Sequence, residues 1–329
     1  MPLTMSDLLI YIIFALSLLL VEMLYFYIAD RYDIIDHPNQ RSSHTEVTLR
    51  GGGIIFPISI FLYSLYSGFQ YPNFLLGLLC ISLISFMDDV RTTSSKLRMV
   101  FHLLAVTFLF VEVGLFTIPF WLLIIAYIIV IGIINAYNFM DGINGITGLY
   151  SLVAVATLLY INQTEFFIAN NLLIITSLAL LVFLWFNFRQ KARCFAGDVG
   201  SVSIAFIIVF ALSMLIIPQG QFLYVLLLAV YGTDTVLTIV LRLVNRENIF
   251  EAHRSHTYQL LSNEKGMPHL VVATLYAILQ LLINILVIYV IHLDLLLVYE
   301  LIFAIIILSA LIVAYAFIRP HSSFIRQIN

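Results

Sequence analysis

The chain has 329 residues, of which 62% are hydrophobic and 10% charged, and its formal net charge is -3. An ordinary soluble domain carries roughly 25% charged residues, so this composition, with a mean hydropathy of +1.07, indicates an all-α, polytopic membrane protein and no nucleic-acid partner. Its two cysteines, Cys80 and Cys194, have no metal-ligand spacing and build no disulfide framework.

The first apolar run, 8–28, lacks a basic flank before it and a small-residue cleavage site after it, so it reads as a retained helix rather than a signal peptide. At about 20 residues per span, further spans are predicted near 52–68, 73–87, 99–116, 118–136, 146–161, 166–186, 201–217, 221–241, 269–291 and 296–318. That makes eleven transmembrane helices in a single domain over 1–329. All fifteen Lys and Arg residues then fall on one side, in 29–51, 88–98, 187–200, 242–268 and the tail. The positive-inside rule puts that side in the cytosol and the N-terminus outside.

The polar groups that could do chemistry are on the basic side. Arg50-Gly51-Gly52-Gly53 opens the second span, where a glycine-rich backbone beside an arginine can cradle phosphate or simply start a helix. Asp88-Asp89 closes the third span, followed by Arg91, Ser94, Ser95, Lys96 and Arg98. Adjacent carboxylates repel and so favour a cation or a shared proton, and oxygen-only ligands suit Mg²⁺ or Mn²⁺. The stretch from Asn138 to Gly148 joins two apolar runs and contains Asp141, Asn144, Gly142, Gly145 and Gly148. Three glycines break the helix there, so its backbone needs partners in water or protein.

Phe195-Ala196-Gly197-Asp198-Val199-Gly200-Ser201 precedes the eighth span, and Asp198 either caps a helix or meets a ligand. Asp234 lies eight residues before Arg242, roughly 12 Å into its helix at 1.5 Å per residue. An intramembrane carboxylate is a functional candidate. His253-Arg254-Ser255-His256 places two imidazoles at i, i+3 beside a guanidinium, a set suited to a diphosphate. Glu22, His102 and Glu300 lie near span ends and read as snorkelling or pairing residues. Carboxylates for a divalent metal, cations for phosphates and a lipid-facing body together suggest phosphoryl transfer from a soluble donor to a lipid.

In their order and spacing these motifs resemble the polyprenyl-phosphate N-acetylhexosamine-1-phosphate transferases. The resemblance rests on Asp36-His37-Pro38-Asn39, Arg41-Ser42-Ser43-His44, Arg50-Gly51-Gly52-Gly53, Asp88-Asp89, Asn135 to Gly142, Phe195 to Asp198, Asp234-Thr235 and the histidine loop. It implies transfer of a sugar-1-phosphate from a UDP-N-acetylhexosamine to undecaprenyl phosphate, with release of UMP. The setting would be the bacterial inner membrane among its lipids, with the site on the cytosolic face and Mg²⁺ as cofactor, Mn²⁺ substituting.

Carried over position by position, the resemblance makes Asp198 the metal ligand, Asp88 the base and Asp89 its companion near the metal. Asp141, counted with Asp88 and Asp89 among the catalytic groups, would line the nucleotide-sugar pocket with Asn138 and Asn144, with Phe195 on uracil and Asn187 on the nucleotide. His253, Arg254 and His256 would hold diphosphate or sugar, with His253 among the catalytic groups. Arg50 and Lys96 would meet phosphates, and Asp234 would match an intramembrane carboxylate without an assigned role.

Three departures stand out. Asn144 replaces the Asp of many relatives and cannot act as a base. The segment from Asn187 to Phe195 is one residue longer and more basic than the usual form. His-Arg-Ser-His replaces the histidine run of the peptidoglycan enzyme and argues for the glycan-initiating branch, which includes O-antigen enzymes. The peptidoglycan transferase, a secondary transporter and a membrane scaffold are the rival readings. The sugar, and whether the chain forms a homodimer, are left open.

Overall fold

The computed structural model describes residues 5–36, 47–248 and 254–319. The helices are α1 (Met5–Arg31), α2 (Ile55–Ser67), α3 (Pro72–Val90), α4 (Ser95–Glu112), α5 (Phe120–Met140), α6 (Ile146–Glu165), α7 (Asn170–Asn187), α8 (Gly197–Gln219), α9 (Ala229–Val244), α10 (Thr257–Gln259), α11 (His269–His292) and α12 (Leu297–Ile318). Ile35–Asp36 (β1) and Thr48–Leu49 (β2) pair antiparallel as a short ribbon.

Each of the eleven predicted spans coincides with a helix. Nine helical segments among the described residues are long and apolar enough to cross a membrane. The other two differ for evident reasons. The second span is a 3₁₀ turn, Gly52–Ile54, followed by the 13-residue α2. The fourth, α4, carries Lys96 and Arg98 in its first turns and Glu112 at its end.

The helix ends also shift in a way that matters. α3 runs on through Asp88 and Asp89, α5 takes in Asn135 and Asn138, and α8 starts at Gly197, placing Asp198 in its first turn.

α8 is apolar on every side and is the buried centre, packed against α2, α3, α5 and α6. A helix with no polar face belongs in the interior of a bundle. α12 is at the rim, where only Glu300, Leu311 and Tyr315 are buried. Side chains such as Ile128 on α5 (66% exposed) and Phe317 on α12 (85%) face outward, as a lipid-covered surface requires.

A 3₁₀ segment, Phe222–Leu228, leads into α9. At this junction Gln280 of α11 donates to Leu226 O (2.9 Å) and accepts from Val230 N (2.9 Å) and the Tyr150 hydroxyl (2.6 Å). It also donates to Asn284 (2.7 Å), which in turn donates to Thr157 (2.9 Å). In lipid, a change of helix type is tolerated only where neighbours satisfy the backbone in this way.

The two ends of the bundle differ. At one end, connections are tied by neutral or acidic partners: Glu112 caps α3 through Asn73 N and Phe74 N, Gln219 donates to Glu165, and Gln221 to Glu300. At the other end lie every described Lys and Arg and the constellations predicted from sequence.

Candidate active site

The site forms where the 50–54 turn, the end of α3, the turn between α5 and α6, and the start of α8 converge. Gly51 takes φ +80°, and Gly53 and Gly200 pack backbone to backbone so closely that a Cβ on Gly200 would lie 2.7 Å from the Gly53 Cα. The N–H groups of Gly52 and Gly53 donate to Phe195 O (2.8 Å) and Ala196 O (3.0 Å). These glycines therefore dock the 50–54 turn onto the α8 lead-in, and those two N–H groups are already taken. The turn thus leads into α2 with two of its backbone donors engaged by the α8 lead-in.

Docking aims Arg50 at two carboxylates, with Nε 2.7 Å from Asp89 Oδ1 and Nη2 3.5 Å from Asp198 Oδ1. Asp89 is buried, and its two oxygens accept the Asp198 and Val199 N–H groups, each at 2.9 Å. A carboxylate at a helix N-terminus satisfies orphan donors and complements the helix dipole, so Asp89 anchors the head of α8 to α3.

Asp88, pointing elsewhere on the same turn, accepts Thr93 N (2.6 Å) and Thr93 Oγ1 (2.7 Å) on one oxygen and Arg98 Nη1 (2.9 Å) on the other. The same Arg98 nitrogen lies 3.6 Å from Asp198 Oδ2. Asp198 thus sits between two guanidinium groups, both at long range. Sequence reasoning noticed Arg98 but gave it no role. Its signal was a cation in the first turn of a helix, where the dipole disfavours positive charge.

Asp141 caps the C-terminal end of α5, followed by Gly142 and the left-handed Gly145 (φ +84°). Loss of water raises its carboxyl to about 7, with the nearby Asp89 charge adding to the rise. Asn138 accepts from the Ser201 hydroxyl (3.1 Å), tying α5 to α8.

Asn144 and Asn187 are both buried. Asn144 donates to the carbonyls of Arg189 (2.8 Å) and Gln190 (3.1 Å). Asn187 accepts from Gly145 N (2.7 Å) and donates to Cys194 O (2.8 Å). Both amides are bound to backbone, so they shape the 188–196 loop against the 142–145 turn. Phe195 is half-buried, and its N–H donates to Leu49 O (2.8 Å). Lys96 is exposed at the start of α4.

On the far side of Asp141 sits the histidine loop. His253 lies outside the described residues. His256 is buried, with its ring 6.2 Å from Phe139 and Nδ1 3.6 Å from Asp234 Oδ1. Asp234 also accepts Thr257 N (2.9 Å), the Tyr276 hydroxyl (2.6 Å) and the Thr238 hydroxyl (3.3 Å). Its place is therefore clear: it holds the loop onto α9 and α11. Tyr258 donates to Phe139 O (3.0 Å) and packs over Gly142, where a Cβ would collide with it. Arg254, half-buried, begins the described part of the loop.

No three His, Cys, Asp or Glu side chains among the described residues converge as a preformed metal cage. The carboxylates still fit a magnesium-type ion, which commonly binds one or two carboxylates and completes its octahedron with water and substrate phosphate. Asp198 suits that task. Its oxygens face Arg50 and Arg98 at 3.5 and 3.6 Å and share a side-chain contact with Asp88, whereas those of Asp88 and Asp89 also hold shorter bonds to N–H and O–H donors.

Known proteins resemble this chain over much of its length. Residues 71–216 match the family model described as glycosyl transferase family 4, a segment that includes Asp88, Asp89, Asp141 and Asp198. The chain is 25% identical over 279 residues to a probable undecaprenyl-phosphate N-acetylglucosaminyl 1-phosphate transferase of Bacillus subtilis, covering 76% of each chain. It is 25% identical over 246 residues to an undecaprenyl-phosphate alpha-N-acetylglucosaminyl 1-phosphate transferase of Thermotoga maritima, covering 72% of this chain and 76% of that one. It is 26% identical over 247 residues to a phospho-N-acetylmuramoyl-pentapeptide-transferase of Thermotoga neapolitana, covering 68% and 79%.

Proposed function

We infer, for a chain that belongs to the polyprenyl-phosphate N-acetylhexosamine-1-phosphate transferase family, that it transfers N-acetylglucosamine-1-phosphate from UDP-N-acetylglucosamine to undecaprenyl phosphate. The observation that carries the site assignment is the convergence of Asp88, Asp89, Asp198, Arg50 and Arg98 at the basic end of a lipid-embedded bundle. Two relatives whose names specify N-acetylglucosaminyl transfer support the sugar. The proposed setting is a bacterial inner membrane with the site on its cytosolic face, an orientation that the one-sided basic connections support.

In this reaction an oxygen of the lipid phosphate attacks the β-phosphorus of the donor. A new P–O–P bond forms, the bond to UMP breaks, and UMP leaves with the electron pair. Phosphoryl transfer of this kind relies on positioning and charge neutralisation. Asp198 would hold Mg²⁺, or Mn²⁺ in its place, and the ion would supply neutralising charge for the donor diphosphate.

The chain's own residues do the rest. Arg50 and Arg98 flank the carboxylates and present positive charge to phosphate oxygens. Asp89 holds α8, and so Asp198, in register. Asp88 organises Arg98 and the turn after α3; to serve as base it must exchange one of those donors for the reacting oxygen. That demand is modest, because a phosphate monoester with a second pKa near 6 is largely dianionic at neutral pH. Asp141, beside the Tyr258 face of the histidine loop, lines the donor side with Arg254.

The test is purified protein with undecaprenyl phosphate, Mg²⁺ and separate UDP-linked GlcNAc, GalNAc and MurNAc-pentapeptide donors, scored by UMP release. Release with UDP-GlcNAc is expected. Release with the peptide-bearing donor alone would assign the chain to peptidoglycan synthesis.

A further inference from the structure

α12 is the helix least engaged with the bundle: 11% of its apolar window is buried. Its last turn is different. Tyr315 is buried, and its hydroxyl lies 2.9 Å from the Thr238 hydroxyl on α9. Arg319, just past the helix end and also buried, lays its guanidinium over the Tyr315 ring at 4.4 Å. One guanidinium nitrogen donates to Thr238 (3.2 Å) and to the carbonyl of Ser255.

Ser255 is the residue between Arg254 and His256. The loop is thus gripped from two directions, by Asp234 through Thr257 N and His256 and by Arg319 through Ser255. Thr238 touches both grips, since its hydroxyl also bonds Asp234 (3.3 Å). A guanidinium is suited to such a joint, because a single terminal nitrogen carries two N–H groups for two acceptors while the planar face stacks on an aromatic ring.

We propose that Arg319 is a positioning residue for donor binding: with Tyr315 it fixes the Arg254-Ser255-His256 backbone beside Asp141, so that α12 couples the lipid-facing rim to the nucleotide-sugar side of the site. This rests on the reading of the histidine loop as the donor diphosphate side. Arg319 itself touches no reacting group. Releasing Ser255 leaves Arg254 and the loop backbone free to sample orientations that do not meet the diphosphate, which weakens the donor and spares the lipid acceptor.

The experiment compares the parent protein with Arg319→Ala, Arg319→Lys and Tyr315→Phe. Initial rates of UMP release are measured against donor and, separately, acceptor concentration, with a thermal melt for each variant. Arg319→Ala should raise the donor KM about tenfold, the effect of one charge-assisted hydrogen bond. Its acceptor KM should stay at the parent value. Arg319→Lys should recover part of the loss, since an ammonium can still reach one acceptor. Tyr315→Phe should raise the donor KM about threefold, through one neutral hydrogen bond.

A donor KM in Arg319→Ala within about twofold of the parent, or an equal rise in both KM values, overturns the proposal. If Arg319→Ala does not fold, the donor KM of Arg319→Lys decides in the same way. A parent protein that releases no UMP from any UDP-sugar refutes the function reading instead, which separates the two failures.

Discussion

The oxygens of Asp89 are filled by two helix N–H groups and Arg50, whereas the Asp198 side chain meets two guanidinium groups at 3.5 and 3.6 Å and the Asp88 carboxyl, and holds no helix N–H among the described residues. Their amides should therefore behave differently. Asp89→Asn keeps one acceptor oxygen and loses the charge facing the helix dipole. It should destabilise the fold by about 1–2 kcal/mol and lower activity with it. Asp198→Asn should melt like the parent and lose transfer. Thermal melts alongside initial rates check this, and equal melting losses in both variants would contradict the assignment.

Asp141 adds a pH dependence. Its carboxyl is raised to about 7, first by loss of water, so the native state binds this proton more tightly than the unfolded chain, where an aspartate titrates at about 3.9. The native state is accordingly favoured least once the pH has risen through this interval: stability falls between about pH 4 and pH 7. Asp141→Asn should flatten that slope in melts recorded across the same range. An unchanged slope would mean that another group carries it.

At the scale of elements, the eleven apolar runs and their polar ends were legible because lipid imposes both length and termination. Asp88, Asp141 and Asp198 could be picked out as carboxylates beside glycines or helix ends. What the sequence could not show was which segment each polar group answers to. Asn144 and Asn187 look like substrate residues in a motif, but Asn144 bonds the backbone of the 188–196 loop 45 and 46 positions away, and Asn187 bonds Cys194 seven residues along and Gly145 42 positions back. Asp234 reads as an isolated intramembrane charge until the fold brings Thr257 and Tyr276 to it.

Gln280 and Asn284 carried a signal that went unused, two amides at i, i+4 inside an apolar span, the pattern of polar residues facing a bundle interior. Gln280→Leu would remove the acceptor of Val230 N and of the Tyr150 O–H and one of the two donors to Leu226 O at the 3₁₀-to-α junction. A loss of about 1–3 kcal/mol is expected, read as a lower melting temperature. Asn284→Leu should cost less, because it contacts side chains rather than that junction. The reverse ranking would contradict the role given to Gln280.

For the whole molecule, orientation and chemistry must agree. Reporters inserted at 70, 163 or 219 should register outside, and those at 93, 192 or 260 in the cytosol, where a nucleotide-sugar is available. A mixed pattern would break the link between the basic end and the site.

The central claim is transfer of a sugar together with its phosphate, and the most direct measurement follows the β-phosphorus. The full-length protein in lipid nanodiscs is given undecaprenyl phosphate, Mg²⁺ and UDP-GlcNAc labelled at that phosphorus. The account predicts that the label moves into the lipid fraction one-for-one with UMP release, and that Asp198→Asn abolishes both. Label that stays in the aqueous phase as UDP, with unlabelled sugar on the lipid, would contradict it.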